Sequence, residues 1–246
     1  MMPSSNKRFS DMTKSVTDGS GTTHFYEVFN GTSVIGKAMV FVPGAVSTVE
    51  SAPMVVYYHG HNSQGSIDAY IKAMRQRDFR PLLASKSVVL VEPWGGTHSK
   101  FGAMATGDGL STLIDSAMFT AISYGTPSRP CPVKPPPPPS LILAGFSGGG
   151  AALNAVVNSN SSSLSLLKEV WAFDCLYSEE GQKWVDWARV NTGKVLRVRV
   201  TTGESSGSPR RQNRIIRAAS APNIDSADPA ILGHEDCPGT FIPKWI

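Results

Sequence analysis

Residues 141–150 read LILAGFSGGG. Leu141–Ala144 form a short apolar run of the kind that makes a strand buried on both faces. The run ends in Gly145-Phe146-Ser147-Gly148-Gly149-Gly150, and the small-residue segment Ala151–Asn158 behind it suits a helix. Gly-x-Ser-x-Gly is a weak pattern alone. At a strand-to-helix junction it points to a nucleophile elbow, a turn so sharp that the serine's neighbours must be small. A helix starting at the serine also aims its free N–H groups and the positive end of its dipole at the serine oxygen. A phosphate-cradling loop is the competing reading, but no Lys follows the glycines.

Similar runs flank this one. Pro53–Tyr58 is continuously apolar and aromatic and leads into His59-Gly60-His61-Asn62. Val88–Val91 ends in Glu92-Pro93-Trp94-Gly95-Gly96, Val170–Phe173 ends at Asp174, and Val195–Thr201 ends in Thr202-Gly203-Glu204. Helical spacing covers residues 66–79, with Pro81 expected to end that helix, and 109–124, 161–168, 179–190 and 208–220. His24–Phe29 and Ser33–Val42, split by Asn30-Gly31, predict a hairpin. Buried strands alternating with helices predict an α/β fold: a mainly parallel central sheet flanked by helices on both faces, with an antiparallel N-terminal hairpin. Residues 1–20 are polar and aperiodic and are expected to be a flexible tail, leaving 21–246 as one domain.

The composition agrees with one globular domain: 246 residues, 41% hydrophobic and 17% charged. The net charge of +4 is mild. The densest basic stretch, Arg210–Arg217, reads as a solvated helix face, with an anionic ligand as the alternative; no nucleic-acid partner is expected. No apolar run is long enough to span a membrane. The polar N-terminus lacks a secretory signal, so a cytoplasmic location is expected, or a secreted one if a leader has been removed. Cys131, Cys175 and Cys237 allow at most one internal disulfide and have no metal-binding spacing. Pro135–Pro139 reads as a stiff surface connection, with docking of a polyproline-reading partner as the alternative.

A serine nucleophile needs a base, and in this order of elements the base follows it in sequence. His234 is the single histidine after Ser147 and lies in a loop beyond the last long strand. The acid that fixes the histidine tautomer has two candidates. Asp174 emerges from an apolar strand, where an accidental carboxylate is costly, and is favoured over Glu204, which opens a Ser/Gly-rich loop. The oxyanion donors are expected to be the amides of Gly148 and of His61, the residue after His59-Gly60. His59-x-His61 also reads as half a metal site, but two histidines are too few for catalytic zinc, so no metal is expected. Trp94 reads either as a wall of the substrate cleft or as a core residue.

From about residue 35 to 246, HGHN after one strand, GFSGGG after another, Asp174 and then His234 resemble the α/β-hydrolase superfamily. AGFSGGG in particular is similar to compact, lidless esterases. The resemblance implies the fold, a Ser-His-Asp triad and no cofactor. The leading function is cleavage of a carboxylic ester, small-molecule or polymeric, through an acyl-enzyme. A peptidase or amidase on the same triad and a non-catalytic binding protein are the rival functions. The chain departs from the superfamily in two places. Only twelve residues follow His234, so the final helix is expected to be short or missing, and no Gly-Gly run follows His59-Gly60 as in a lipase-type oxyanion loop.

Overall fold

The computed structural model describes residues 10–61, 80–125, 134–177, 180–203 and 207–246. The strands are β1 (Ser10–Asp18), β2 (Gly21–Asn30), β3 (Ser33–Pro43), β4 (Met54–Tyr58), β5 (Val89–Pro93), β6 (Leu141–Phe146), β7 (Leu167–Phe173), β8 (Val195–Arg199) and β9 (Ile224–Ser226). The helices are α1 (Arg80–Leu83), α2 (Gly107–Gly125), α3 (Gly150–Val157), α4 (Gly181–Val190), α5 (Gly207–Ala218) and α6 (Cys237–Trp245). Among the described residues nine strands join one sheet in the order β1-β2-β3-β5-β4-β6-β7-β8-β9. β1, β2 and β3 form an antiparallel meander that meets β5 antiparallel, and β5, β4, β6, β7, β8 and β9 run parallel.

The expected sheet class and hairpin are present, with Asn30 paired to Ser33 across the turn. Ser10–Asp18, expected as part of a flexible tail, is instead an edge strand on β2. Its polar residues carry no periodicity because little of it is buried, and Ser10 is tied to α2 through a 2.7 Å hydrogen bond to Thr120. Residues 161–168 are not an α-helix: Ser162–Leu166 is a 3-10 turn, and Leu167 already pairs with Leu141 as the first residue of β7. The helix expected at 66–79 lies outside the described residues. Pro81 does not end a helical segment, since Arg80–Leu83 is helical through it.

Alternation along the strands sends side chains to two cores. On one face Val56, Leu143, Val170 and Val198 pack against Leu113 of α2, Leu153 of α3, Trp184 of α4 and Ile216 of α5. On the other face Phe41, Val55, Tyr57, Trp171 and Phe173 meet Leu83 of α1 and Cys237 and Ile242 of α6. Helices thus cover both faces, as a parallel sheet requires. No described helix is long and apolar enough to cross a membrane.

The segment after His234 does form a final helix, nine residues long. Its Trp245 stacks on Phe173 with ring centroids 5.2 Å apart and meets Trp171 edge-on at 5.3 Å. The guanidinium groups of Arg199 and Arg197 lie 4.9 and 5.5 Å from the same ring. Both arginines are held there by carboxylates: Arg197 donates to Glu169 at 2.6 Å and to Asp225 at 2.8 Å, and Arg199 donates to Asp225 at 2.7 Å. Aromatic and cation–π contacts on a half-buried ring supply much of the docking of so short a helix. Trp245→Ala is expected to destabilise the fold by about 3 kcal/mol, read as a lowered midpoint of urea unfolding.

Candidate active site

The order of β5, β4 and β6 places the site. From β4 the chain crosses to β5 on one side and then returns to β6 on the other. The crevice between the carboxyl ends of β4 and β6 is therefore the topological switch point, where ligands settle in open α/β sheets. Ser147 follows β6 at that end and His59-Gly60-His61 follows β4.

Ser147 has φ of +49°. A non-glycine residue in the left-handed region costs about 1–3 kcal/mol, and such strain persists only where its surroundings enforce it. Here they do, because the chain turns from β6 into the 3-10 turn Ser147–Gly149 and then α3 without an intervening loop. Two glycines allow the close approach. A Cβ on Gly149 would collide with the carbonyl oxygen of Tyr58, and one on Gly60 would lie 2.8 Å from Ser147 Cβ.

Asp174, just past β7, also has a left-handed backbone (φ +45°), and it is fully buried. Its Oδ1 accepts the Thr201 amide at 2.9 Å, and its Oδ2 accepts the Thr201 hydroxyl at 2.6 Å. The same Oδ2 lies 3.1 Å from His234 Nδ1. An ionised carboxylate only accepts, so Nδ1 carries the proton and Nε2 is left with its lone pair free to act as a base. The loop bearing His234 is pinned upstream, where Ala230 and the end of β8 exchange bonds: Ala230 N–H to Val200 O at 2.9 Å and Thr202 N–H to Ala230 O at 3.0 Å. Phe146, the residue before the serine, packs its ring 4.7 Å from the His234 ring. Glu204, the other acid candidate, lies outside the described residues, as does Cys131.

Ser147, Gly148, Ala151, Cys175, Tyr177, Glu180, His234, Glu235 and His61 wall one open cleft of about 660 Å³. The structure thus brings Ser147, Gly148, His61 and His234 to one cavity, with Asp174 behind His234. The exposed His61 lies over Gly148, whose missing Cβ leaves room for the imidazole edge. His59 is buried and structural: its Nε2 accepts the Gly95 amide at 3.0 Å, so Nδ1 carries the proton and donates to Gly60 O at 2.6 Å. With both ring nitrogens bonded to backbone, His59 offers no free lone pair to half a metal site. Trp94 is not among the residues that line this cleft. Its amide donates to Lys37 O on β3 at 2.9 Å, and its indole N–H is buried without a partner.

Sequence reading missed Thr201 and Tyr177. Thr201 carries no motif; its role depends on the β7–β8 register that sets it beside Asp174. Tyr177 Oη lies 3.3 Å from Ser147 Oγ. The signal for it was the short distance in sequence from the Asp174 strand end. Both remaining cysteines, Cys175 and Cys237, are free and buried.

No family model and no curated protein matches the sequence. Solved structures do. The rice cell wall degrading esterase LipA from Xanthomonas oryzae superposes with a TM-score of 0.53 at 8% identity, covering 99% of this chain and 95% of that one. A ferulic acid esterase gives 0.52 at 14% identity with 96% of each chain covered. Methylesterase BT1017 gives 0.54 at 14% identity, with 96% of this chain and 57% of that one covered. At such identities the likeness concerns architecture, and the architecture is the α/β-hydrolase fold.

Two outcomes follow from the site's hydrogen bonds. Thr201→Val keeps the shape and the backbone amide but removes a charge-assisted bond to a buried carboxylate, and is expected to lower stability by about 2 kcal/mol in urea titrations. Burial holds His59 down to about 4 from its ordinary 6.5. A depressed histidine stabilises the fold above its unfolded value, and that contribution is lost as pH falls from about 6.5 through about 4. The expected loss is about 3 kcal/mol, checked by an NMR titration in which the His59 ring stays neutral down to about pH 4.

Proposed function

We propose that this protein is a serine hydrolase that cleaves carboxylic esters, with Ser147 as nucleophile, His234 as general base and Asp174 as its orienting acid. The observation that carries the reading is the His234–Asp174 hydrogen bond beside a cleft lined by both His234 and the strained Ser147. In the proposed reaction His234 takes the Ser147 proton as Oγ adds to the ester carbonyl. The amides of Gly148 and His61 are the proposed donors to the carbonyl oxygen as its charge develops. Collapse releases the alcohol, and water activated by His234 then frees the acid. The reading needs no metal or cofactor. Names of the similar structures, a cell wall degrading esterase, a ferulic acid esterase and a methylesterase, favour an ester over a peptide bond.

Ser147 Oγ and Tyr177 Oη share a hydrogen bond of 3.3 Å. A turn about χ1 of Ser147 moves Oγ between staggered wells, so engagement with His234 is expected on substrate binding, when catalytic hydrogen bonds tighten.

A fluorophosphonate probe should label Ser147 in the native protein and fail on Ser147→Ala. With p-nitrophenyl esters Ser147→Ala should lose activity by about 10⁵-fold or more and Asp174→Asn by about 10⁴-fold, while aminoacyl anilides should turn over far more slowly than esters. Full ester activity in Ser147→Ala would falsify the assignment.

A further inference from the structure

Tyr177 is the side chain whose hydroxyl touches Ser147 and that the proposed triad does not use. It sits three residues past Asp174 on the loop leaving β7, and its ring helps to wall the cleft. In the sheet, β4 and β7 lie on opposite sides of β6. His61, after β4, and Tyr177, after β7, therefore flank Ser147 from opposite sides. Gly148 lies beneath His61, so the proposed oxyanion donors belong to the β4 side. His234 is tied to Asp174 at the end of β7, and it must hand a proton to the departing alcohol. The alcohol half of the ester is thereby directed to the β7 side, where Tyr177 stands.

We propose that Tyr177 is a catalytic leaving-group residue: its phenol turns from Ser147 to donate a hydrogen bond to the alkoxy oxygen of the bound ester. The proposal rests on the ester-hydrolase reading above. In the step concerned, the tetrahedral adduct collapses and the bond from carbonyl carbon to alkoxy oxygen breaks. Its electron pair goes to that oxygen, and the imidazolium of His234 supplies the proton from Nε2. Tyr177 keeps its own proton throughout. Its hydrogen bond strengthens as charge builds on the oxygen, which lowers the barrier selectively. Burial raises the phenol above its ordinary value, so it stays a donor through the neutral range. At 41% exposure the ring can move without disturbing either core.

The consequence is a dependence on how poor the leaving group is. p-Nitrophenoxide departs with little help, whereas an ethoxide needs every donor available. Tyr177→Phe removes the oxygen and keeps the ring. With one acyl group and alcohols graded from p-nitrophenol to ethanol, kcat/KM reports the steps through acylation. In Tyr177→Phe the ratio of kcat/KM for the ethyl ester to that for the p-nitrophenyl ester is expected to fall about 100-fold, the lower end of the cost of one lost transition-state donor. The plot of log kcat/KM against alcohol pKa steepens accordingly. An equal loss on every ester overturns the proposal and leaves Tyr177 as a shaper of the cleft; no loss on any ester overturns it as well. The fluorophosphonate labelling rate of Ser147 separates these outcomes from misfolding. Failure of the underlying reading appears elsewhere, as unlabelled Ser147 in the native protein or persistent hydrolysis by Ser147→Ala.

Discussion

A carboxylate with no exposed surface, Asp174, is the constraint to which the rest of the site answers. An unpaired buried carboxylate is unfavourable by several kcal/mol, so its oxygens must be met by donors. Thr201 meets them with its amide and hydroxyl, and His234 with Nδ1. Each donor comes from a different part of the chain, Thr201 from the end of β8 and His234 from the loop sixty residues beyond Asp174. Satisfying the carboxylate therefore fixes the β7–β8 register, the path of the His234 loop and the tautomer of the imidazole at once. The left-handed backbone at Asp174 is the local strain that lets a residue just past a strand turn its side chain back into this network.

The same logic governs the serine. Among the described residues four non-glycine positions have a left-handed backbone: Ser99, Ser147, Asp174 and Ser220. Two of them are members of the proposed triad. Strain at a serine that lines the cleft and at a buried carboxylate bonded to a histidine of the same cleft, on a scaffold packed on both faces, is the signature of positions held by their surroundings rather than by their own preference. Packing provides the restraint: Tyr58 and Gly60 press on the elbow from β4, and Cys175 O presses on Gly150 from β7. A larger residue at Gly60 or Gly149 would push the elbow out of the crevice that the sheet order creates.

The parallel sheet, the hairpin and the sharp turn at Ser147 were legible because each has a short-range cause: unalternating apolar runs, Asn30-Gly31, and a glycine-rich serine segment between strand and helix. Ser147, Asp174 and His234 could be picked out as candidates because they stand at chain positions set by that topology, and the structure brings Asp174 and His234 into contact. What escaped depended on long-range pairing. Ser10–Asp18 is polar because it is an edge with one neighbour, and so it carries no burial pattern. Thr201 looks like an ordinary strand-end residue until β7 and β8 are in register.

His59 and His61 show why residue type alone is a poor guide to chemistry. They are two apart, yet the turn after β4 separates them completely. His59 is directed inward, where backbone groups consume both nitrogens and burial keeps the ring neutral. Its work is to tie the β4 turn to the β5 turn through Gly95, and this steadies Gly60 against Ser147. His61 faces the cleft, 6.1 Å from the His98 ring, with its imidazole over Gly148. A histidine pair that reads as a nascent metal site in one dimension divides in three into a brace for the elbow and a wall of the cleft. That division has a physical cause: a strand that ends at a sharp turn sends successive alternate side chains into different environments, one dry and one wet.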